Sequence, residues 1–182
     1  MKFFSGKKDN TNKKQIEQII LENYNRYYRL AYSYVHNEAD AGDIVQNGAY
    51  KALRSSQTLK NPEYAATWVY RIMLNECFRY KSRPQFLSYE SIREENENAV
   101  GHTEDSYANI DLQRALDALP DRDKAIVVLK YFEDKTLEEI ADILEENVNT
   151  VKSRLYRSMK KLRGALSDEK QDDRYSLGNG GR

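Results

Sequence analysis

An all-α protein is predicted, with two helical domains joined by a flexible linker, and three observations carry that expectation. Only 8 glycines and 3 prolines interrupt 182 residues, while the good helix formers Leu, Lys, Glu, Arg and Ala are plentiful. Apolar residues recur at helical spacing in two separate blocks. Between the blocks, residues 83 to 111 set only Arg83 and Arg93 against Glu90, Glu94, Glu95, Glu97, Glu104, Asp105 and Asp111. Periodicity fades there, as expected of an acidic tether over residues 83 to 110.

The elements follow in order. Residues 1 to 14, "MKFFSGKKDNTNKK", read as a basic tail. Ile16, Ile19, Ile20, Tyr24, Tyr27, Ala31 and Tyr34 repeat at helical spacing, which predicts one helix over residues 15 to 35. A second helix is expected from Ala39 to Arg54 and a third from Pro62 to Ser82, with Pro62 in its first turn. Together they make a helical domain over residues 15 to 82. The second domain, residues 111 to 166, runs through "DLQRALDALPD", "RDKAIVVLKYF" and "TLEEIADIL" to "NTVKSRLYRSMKKLR". Thr136 followed by Glu139 is a capping box and starts a new helix. Residues 167 to 182 are charged, end in "GNGGR" and are expected to fray.

Composition excludes several classes. Cys77 is the one cysteine and only His36 and His102 accompany it, so no internal disulfide or spaced metal-ligand cluster is available. No Gly-rich phosphate loop or nucleophile–base pairing is present, so no cofactor, small-molecule substrate or bond chemistry is expected. No apolar run approaches the roughly 18 residues of a membrane span and the N-terminus lacks an apolar signal core. A protein of the reducing cytoplasm is the expectation.

The chain is formally neutral, with 29 basic and 29 acidic residues, yet residues 149 to 163 carry Lys152, Arg154, Arg157, Lys160, Lys161 and Arg163 and no acid. On a helix, Val151, Leu155, Ser158 and Leu162 form one buried stripe, and Lys152, Ser153, Tyr156, Arg157 and Lys160 lie opposite. A basic helix alone is more often a solvated face, but such faces intersperse acids for pairing four residues apart. The acids here sit instead on the preceding short helix, only about four residues away, which is helix-turn-helix spacing. The second helix of that motif enters the major groove, where Arg and Lys bond guanine edges and phosphates.

Two further faces emerge from the same arithmetic. Tyr64, Trp68, Arg71, Asn75 and Arg79 share a stripe of rings and cations suited to stacking bases and holding phosphates of a single strand. Taken alone, a core tryptophan beside surface arginines explains that stripe as well. On the middle helix Asp43, Gln46, Asn47 and Tyr50 point one way and Ala41, Val45, Gly48, Ala49 and Ala52 the other. The small inner side suits close packing, and the outer face suits a protein partner or plain solvent.

Taken together, "YRLAYSYVHNEADAGDIVQNGAYKAL", "TWVYRIMLNECFRY" and "ALDALPDRDKAIVVLKYFEDKTLEEIADILEENVNTVKSRLYRSMKKLR" resemble bacterial RNA polymerase sigma factors of the extracytoplasmic-function type, built of sigma regions 2 and 4. The resemblance implies an alternative sigma factor in which region 2 binds the β′ clamp helices and captures the minus-ten element as single strand. Region 4 would bind the β flap and read the minus-35 element as duplex, and an anti-sigma protein is an implied partner. By position, Asp43, Gln46, Asn47 and Tyr50 would face polymerase. The loop from Ser55 to Asn61, with Tyr64, Trp68, Arg71, Asn75 and Arg79, would handle the opened strand. Lys152, Ser153, Tyr156 and Arg157, with Thr150 and Lys160, would contact the minus-35 duplex. The chain departs from the family at Asn47, where an acid is usual, and at Glu145, where the turn commonly has Gly. The left-handed residue of that turn falls at Glu145 or at Asn147. The competing reading is a stand-alone helix-turn-helix regulator, which leaves the Trp68 stripe without purpose.

Overall fold

The structure is a computed structural model that describes residues 5–83 and 104–176, with side chains for residues 11–83 and 111–167. Every regular element among the described residues is helical. In the first half these are α1 (Ser5–Glu22), α2 (Tyr24–Val35), α3 (Glu38–Arg54), two single 3-10 turns at Ser56–Thr58 and Pro62–Tyr64, and α4 (Ala65–Lys81). The second half holds α5 (Glu104–Asp117), α6 (Asp121–Tyr131), α7 (Leu137–Leu144) and α8 (Val148–Ser176). The all-α expectation holds. Most of the expected linker, His102 included, and residues 177 to 182 lie outside the described residues.

Several boundaries differ from those expected, each for a local reason. The helix expected over residues 15 to 35 is two helices, because Asn23 leaves helical geometry with ψ 13°. Its side-chain amide donates to Ile19 O at 2.9 Å, the competition with the backbone that makes Asn a poor interior helix residue. The apolar period runs on through the break, so the pattern does not reveal it. Helix α1 also takes in most of the expected basic tail. Buried Asn12 donates to Leu59 O at 3.2 Å and Gln15 to Pro62 O at 3.0 Å, tying that segment to the loop after α3. Helix α5 begins at Glu104, within the expected tether, and α8 continues to Ser176, into the expected tail.

Helix ends carry the caps their sequences call for. Asn37 Oδ1 accepts from Asp40 N at 3.0 Å, with Glu38 and Asp40 in the first turn of α3 and Lys51 and Arg54 in its last, as the helix dipole favours. Asn61 Oδ1 accepts from Glu63 N at 3.1 Å beside Pro62. At Thr136 both halves of the capping box form: Oγ1 accepts from Glu139 N at 3.1 Å, and the Glu139 carboxylate accepts from Thr136 N at 2.8 Å. Inside the first half α3 packs on α4 so closely that a Cβ on Gly48 would collide with Met73 Sδ.

The two halves do not stand apart. One apolar core runs from Ile16, Tyr27, Leu30, Val45, Val69 and Leu74 into Ile126, Leu129, Ile140, Ile143 and Val151, with α4 against α7. Polar groups line the same boundary. Glu133, 3 % exposed, accepts from the Tyr70 hydroxyl at 3.0 Å and lies 3.9 and 3.7 Å from Arg26 and Arg29. Lys124, fully buried, donates to Ser33 O and to Asp117 at 2.6 Å, and its ammonium sits 4.8 Å from the Tyr34 ring centroid. Burial pushes its pKa down, against the pull of Asp117. The Tyr34 hydroxyl donates to Asp121 O at 3.0 Å, and Lys81 meets the Asp121 carboxylate at 2.6 Å.

Candidate nucleic-acid and polymerase interfaces

The helix-turn-helix is α7, a short turn and α8. Glu145 ends α7 in the left-handed region, φ 55° and ψ 42°, and its N–H donates to Ala141 O. Of the two positions expected for that conformation, Glu145 therefore holds it despite its Cβ. Asn147 instead turns its side chain to accept from Asn149 N at 2.8 Å at the start of α8, a capping geometry. Val151, Ser158 and Leu162 are buried and Leu155 is half-buried, so the expected inner stripe is present. Thr150, Lys152, Ser153, Tyr156, Arg157 and Lys160 are all exposed, Tyr156 to 75 %. Arg154 leaves this basic set: it turns inward to Asp123 at 2.9 Å and Glu146 at 3.4 Å, bracing α8 against α6 and the turn.

The stripe on α4 divides. Tyr64 is exposed, and Asn75 is exposed beside a cleft. Trp68 is half-buried and packs on the core, so it serves the fold at least in part. Arg71 reaches across the domain boundary and donates to Asp142 O at 2.6 Å, Ile143 O at 3.3 Å and Glu145 at 2.5 Å. It thereby fills acceptors at the C-terminal end of α7, where a cation also meets the dipole. Arg79 pairs with buried Glu76 at 2.5 Å. The expected stripe is thus a set of residues at one angle but with different partners.

A cleft of about 530 Å³ opens between the last turn of α3, the Ser56–Thr58 turn and α4, and is lined by Lys51, Arg54, Ser55, Ile72, Asn75 and Glu76 among others. Lys51, Arg54 and Glu76 were not among the expected site residues. Helix-by-helix arithmetic cannot reveal a cleft whose walls belong to two helices; the one available signal was Lys51 and Arg54 closing α3 just before the loop. On the other side of α3, Asp43, Gln46, Asn47 and Tyr50 are all exposed; of the expected inner face Ala41, Val45, Gly48 and Ala52 are buried and Ala49 is half-buried. Arg54 extends that face, its guanidinium 6.0 Å from the Tyr50 ring centroid. Among the described residues no cluster of His, Cys, Asp or Glu could hold a metal, and no helix is long and apolar enough to cross a membrane.

Fold and surfaces define an all-helical DNA-binding protein with a helix-turn-helix in its second half. The sequence matches the family description "Sigma-70 region 2" over residues 19–85 and "Sigma-70, region 4" over residues 109–162. The RNA polymerase sigma factor SigV of Bacillus subtilis is 43 % identical over 166 residues, covering 90 % of this chain and 98 % of that protein. The ECF RNA polymerase sigma factor SigE of Mycolicibacterium smegmatis is 31 % identical, covering 88 % of this chain and 65 % of that one. The chain belongs to the sigma-70 family of RNA polymerase sigma factors, in its extracytoplasmic-function branch. Among solved structures the fold is shared with CnrH in complex with the cytosolic domain of CnrY (TM-score 0.66, 21 % identity, 90 % of this chain and 95 % of that chain). It is also shared with the sigma factor RpoE in complex with the anti-sigma factor NepR from Bartonella quintana (0.61, 20 %, 83 % and 96 %).

Proposed function

We propose that the protein is an alternative sigma factor of the bacterial cytoplasm that binds core RNA polymerase and directs it to particular promoters. It performs no bond chemistry of its own. The observation that carries this is one chain presenting two unlike surfaces: an exposed face of α8 that is free of acids over residues 149–163, and on α3 and α4 a cleft lined by Lys51, Arg54 and Asn75, with exposed Tyr64 just before α4. Arg157, Lys152, Ser153 and Tyr156, flanked by Thr150 and Lys160, read and grip the minus-35 duplex. Tyr64, Trp68, Asn75 and Arg79, with Arg71 once it is free, hold the opened minus-ten strand; Asp43, Gln46, Asn47 and Tyr50 meet the β′ clamp helices, and region 4 meets the β flap. Unstacking a base costs a few kcal/mol per step, offset by stacking and backbone contacts inside the polymerase complex.

The two promoter elements lie about 25 base pairs apart, on the order of 80 Å at 3.4 Å per base pair. A packed chain of this length has a radius of gyration of about 16 Å. The halves therefore separate before both surfaces engage DNA, and separation frees Arg71 from α7. The closed arrangement is suited to storage on an anti-sigma partner, the kind of complex in which RpoE of Bartonella quintana was solved. Promoter-specific run-off transcription with purified core enzyme and this protein alone tests the proposal: specific transcripts are expected, and duplex binding without them would favour a stand-alone regulator. With about six phosphate contacts by region 4, log affinity should fall against log salt with a slope near −5.

A further inference from the structure

We infer that Glu76 is a positioning residue of the opened-strand cleft, fixing Lys51 and Arg79 so that the cleft discriminates among the bases it receives. This rests on the strand-capture reading above. Glu76 is only 6 % exposed. One carboxylate oxygen accepts from Lys51 Nζ at 2.5 Å and the other from Arg79 Nη2 at 2.5 Å. The two cations remain reachable, their side chains 39 % and 49 % exposed. Each is thus anchored at its charged end on a buried acid while still reaching solvent, and Lys51 and Glu76 themselves line the cleft.

A carboxylate in a cleft for a polyanion weakens attraction for phosphate, so it needs a compensating role. Orientation supplies one. Lys has a flexible four-carbon stem and Arg a rigid fork, and a shared acceptor holds both in one geometry, as preorganised sites require. Around them the cleft offers Ile72 as an apolar wall for the flat face of a base and Asn75 as an amide donor and acceptor for its edge. An unstacked base is read through hydrogen bonds to its Watson–Crick edge. Lys51 and Asn75 can address that edge only while Lys51 stays pinned beside it. The simpler alternatives are an ion triad that only stabilises region 2, and an acid that only repels phosphate.

Glu76→Gln, which keeps shape and removes charge, distinguishes them. The holoenzyme, this protein with core polymerase, is titrated with labelled single-stranded minus-ten oligonucleotides carrying each base at each position. Alongside, the variant's thermal midpoint and core affinity are measured. The expected result is that the ratio of best to worst base at one position falls about tenfold, with core binding kept and weak binding to non-preferred strands unchanged or raised. A uniform rise for all strands with the ratio intact would overturn the inference in favour of simple repulsion. A lowered thermal midpoint with the ratio intact would overturn it in favour of a structural triad. Should the Gln variant not fold, Glu76→Asp keeps the charge and withdraws it by one methylene; an undiminished ratio there would equally overturn it. If the wild-type holoenzyme shows no preference among single strands, the strand-capture reading itself fails, a separate outcome.

Discussion

Arg154 and Arg157 stand three residues apart on one basic helix and have opposite fates. Arg157 is exposed with only a 3.4 Å bond to Ser153 O, while Arg154 is engaged by Asp123 and Glu146. Arg157→Ala should cost minus-35 duplex binding about 1–3 kcal/mol and relax preference at one base pair, measured by titrating promoter duplexes. Lys152→Ala should weaken all sequences alike and reduce the salt slope by about 1. Arg154→Ala should instead lower the thermal midpoint with little change in base preference. Glu145 carries a side chain in a left-handed conformation that disfavours one by roughly 1–2 kcal/mol, and its exposed pairing with Arg71 adds little. Glu145→Gly is therefore expected to raise stability by up to about 1 kcal/mol in a denaturant titration.

At the scale of elements, α7 depends on its first turn. Thr136→Ala removes one half of the capping box and should cost about 1 kcal/mol in thermal or chemical unfolding. The Glu139 carboxyl is held below its ordinary value of 4.5, chiefly by the backbone hydrogen bond at Thr136. The carboxylate form is thus favoured in the fold: its contribution is present above pH about 4.5 and is lost as pH falls through the depressed value. Gly48 sits where α3 and α4 meet, and Gly48→Val should destabilise region 2 by about 1–3 kcal/mol through overpacking. Most elements were legible from the chain because apolar period, caps and charged first turns are local signals. The break at Asn23 was not, because the period runs across it and only a side-chain hydrogen bond ends the helix.

On the scale of the whole molecule the decisive feature is the seam between the halves. Removing the acid at its centre, Glu133→Ala, leaves Tyr70, Arg26 and Arg29 without their shared acceptor and should shift the protein toward separated halves. Small-angle scattering should then give a larger radius of gyration than wild type. Cys77 offers a second readout. It is fully buried, and burial pushes its thiol up to about 12, with Lys124 close enough to act on its charge. Wild type should react slowly with a thiol reagent at neutral pH and the Glu133 variant faster, since opening the Lys124 side exposes the thiol. An equal rate in both would place Cys77 away from the opening surface.

Legible from the chain alone were the helical class, the helix-turn-helix, the acid-free run of residues 149–163 and the exposed side of α3, because periodicity and charge along a single segment settle which way its residues point. What stands opposite those faces came from the packing: Arg71 is held by the end of α7, Arg154 braces α6, and Glu76 binds both Lys51 and Arg79 beside a two-walled cleft. An angle on a helix gives a direction, whereas a partner depends on which other helix packs there, and that is set by contacts between residues distant along the chain.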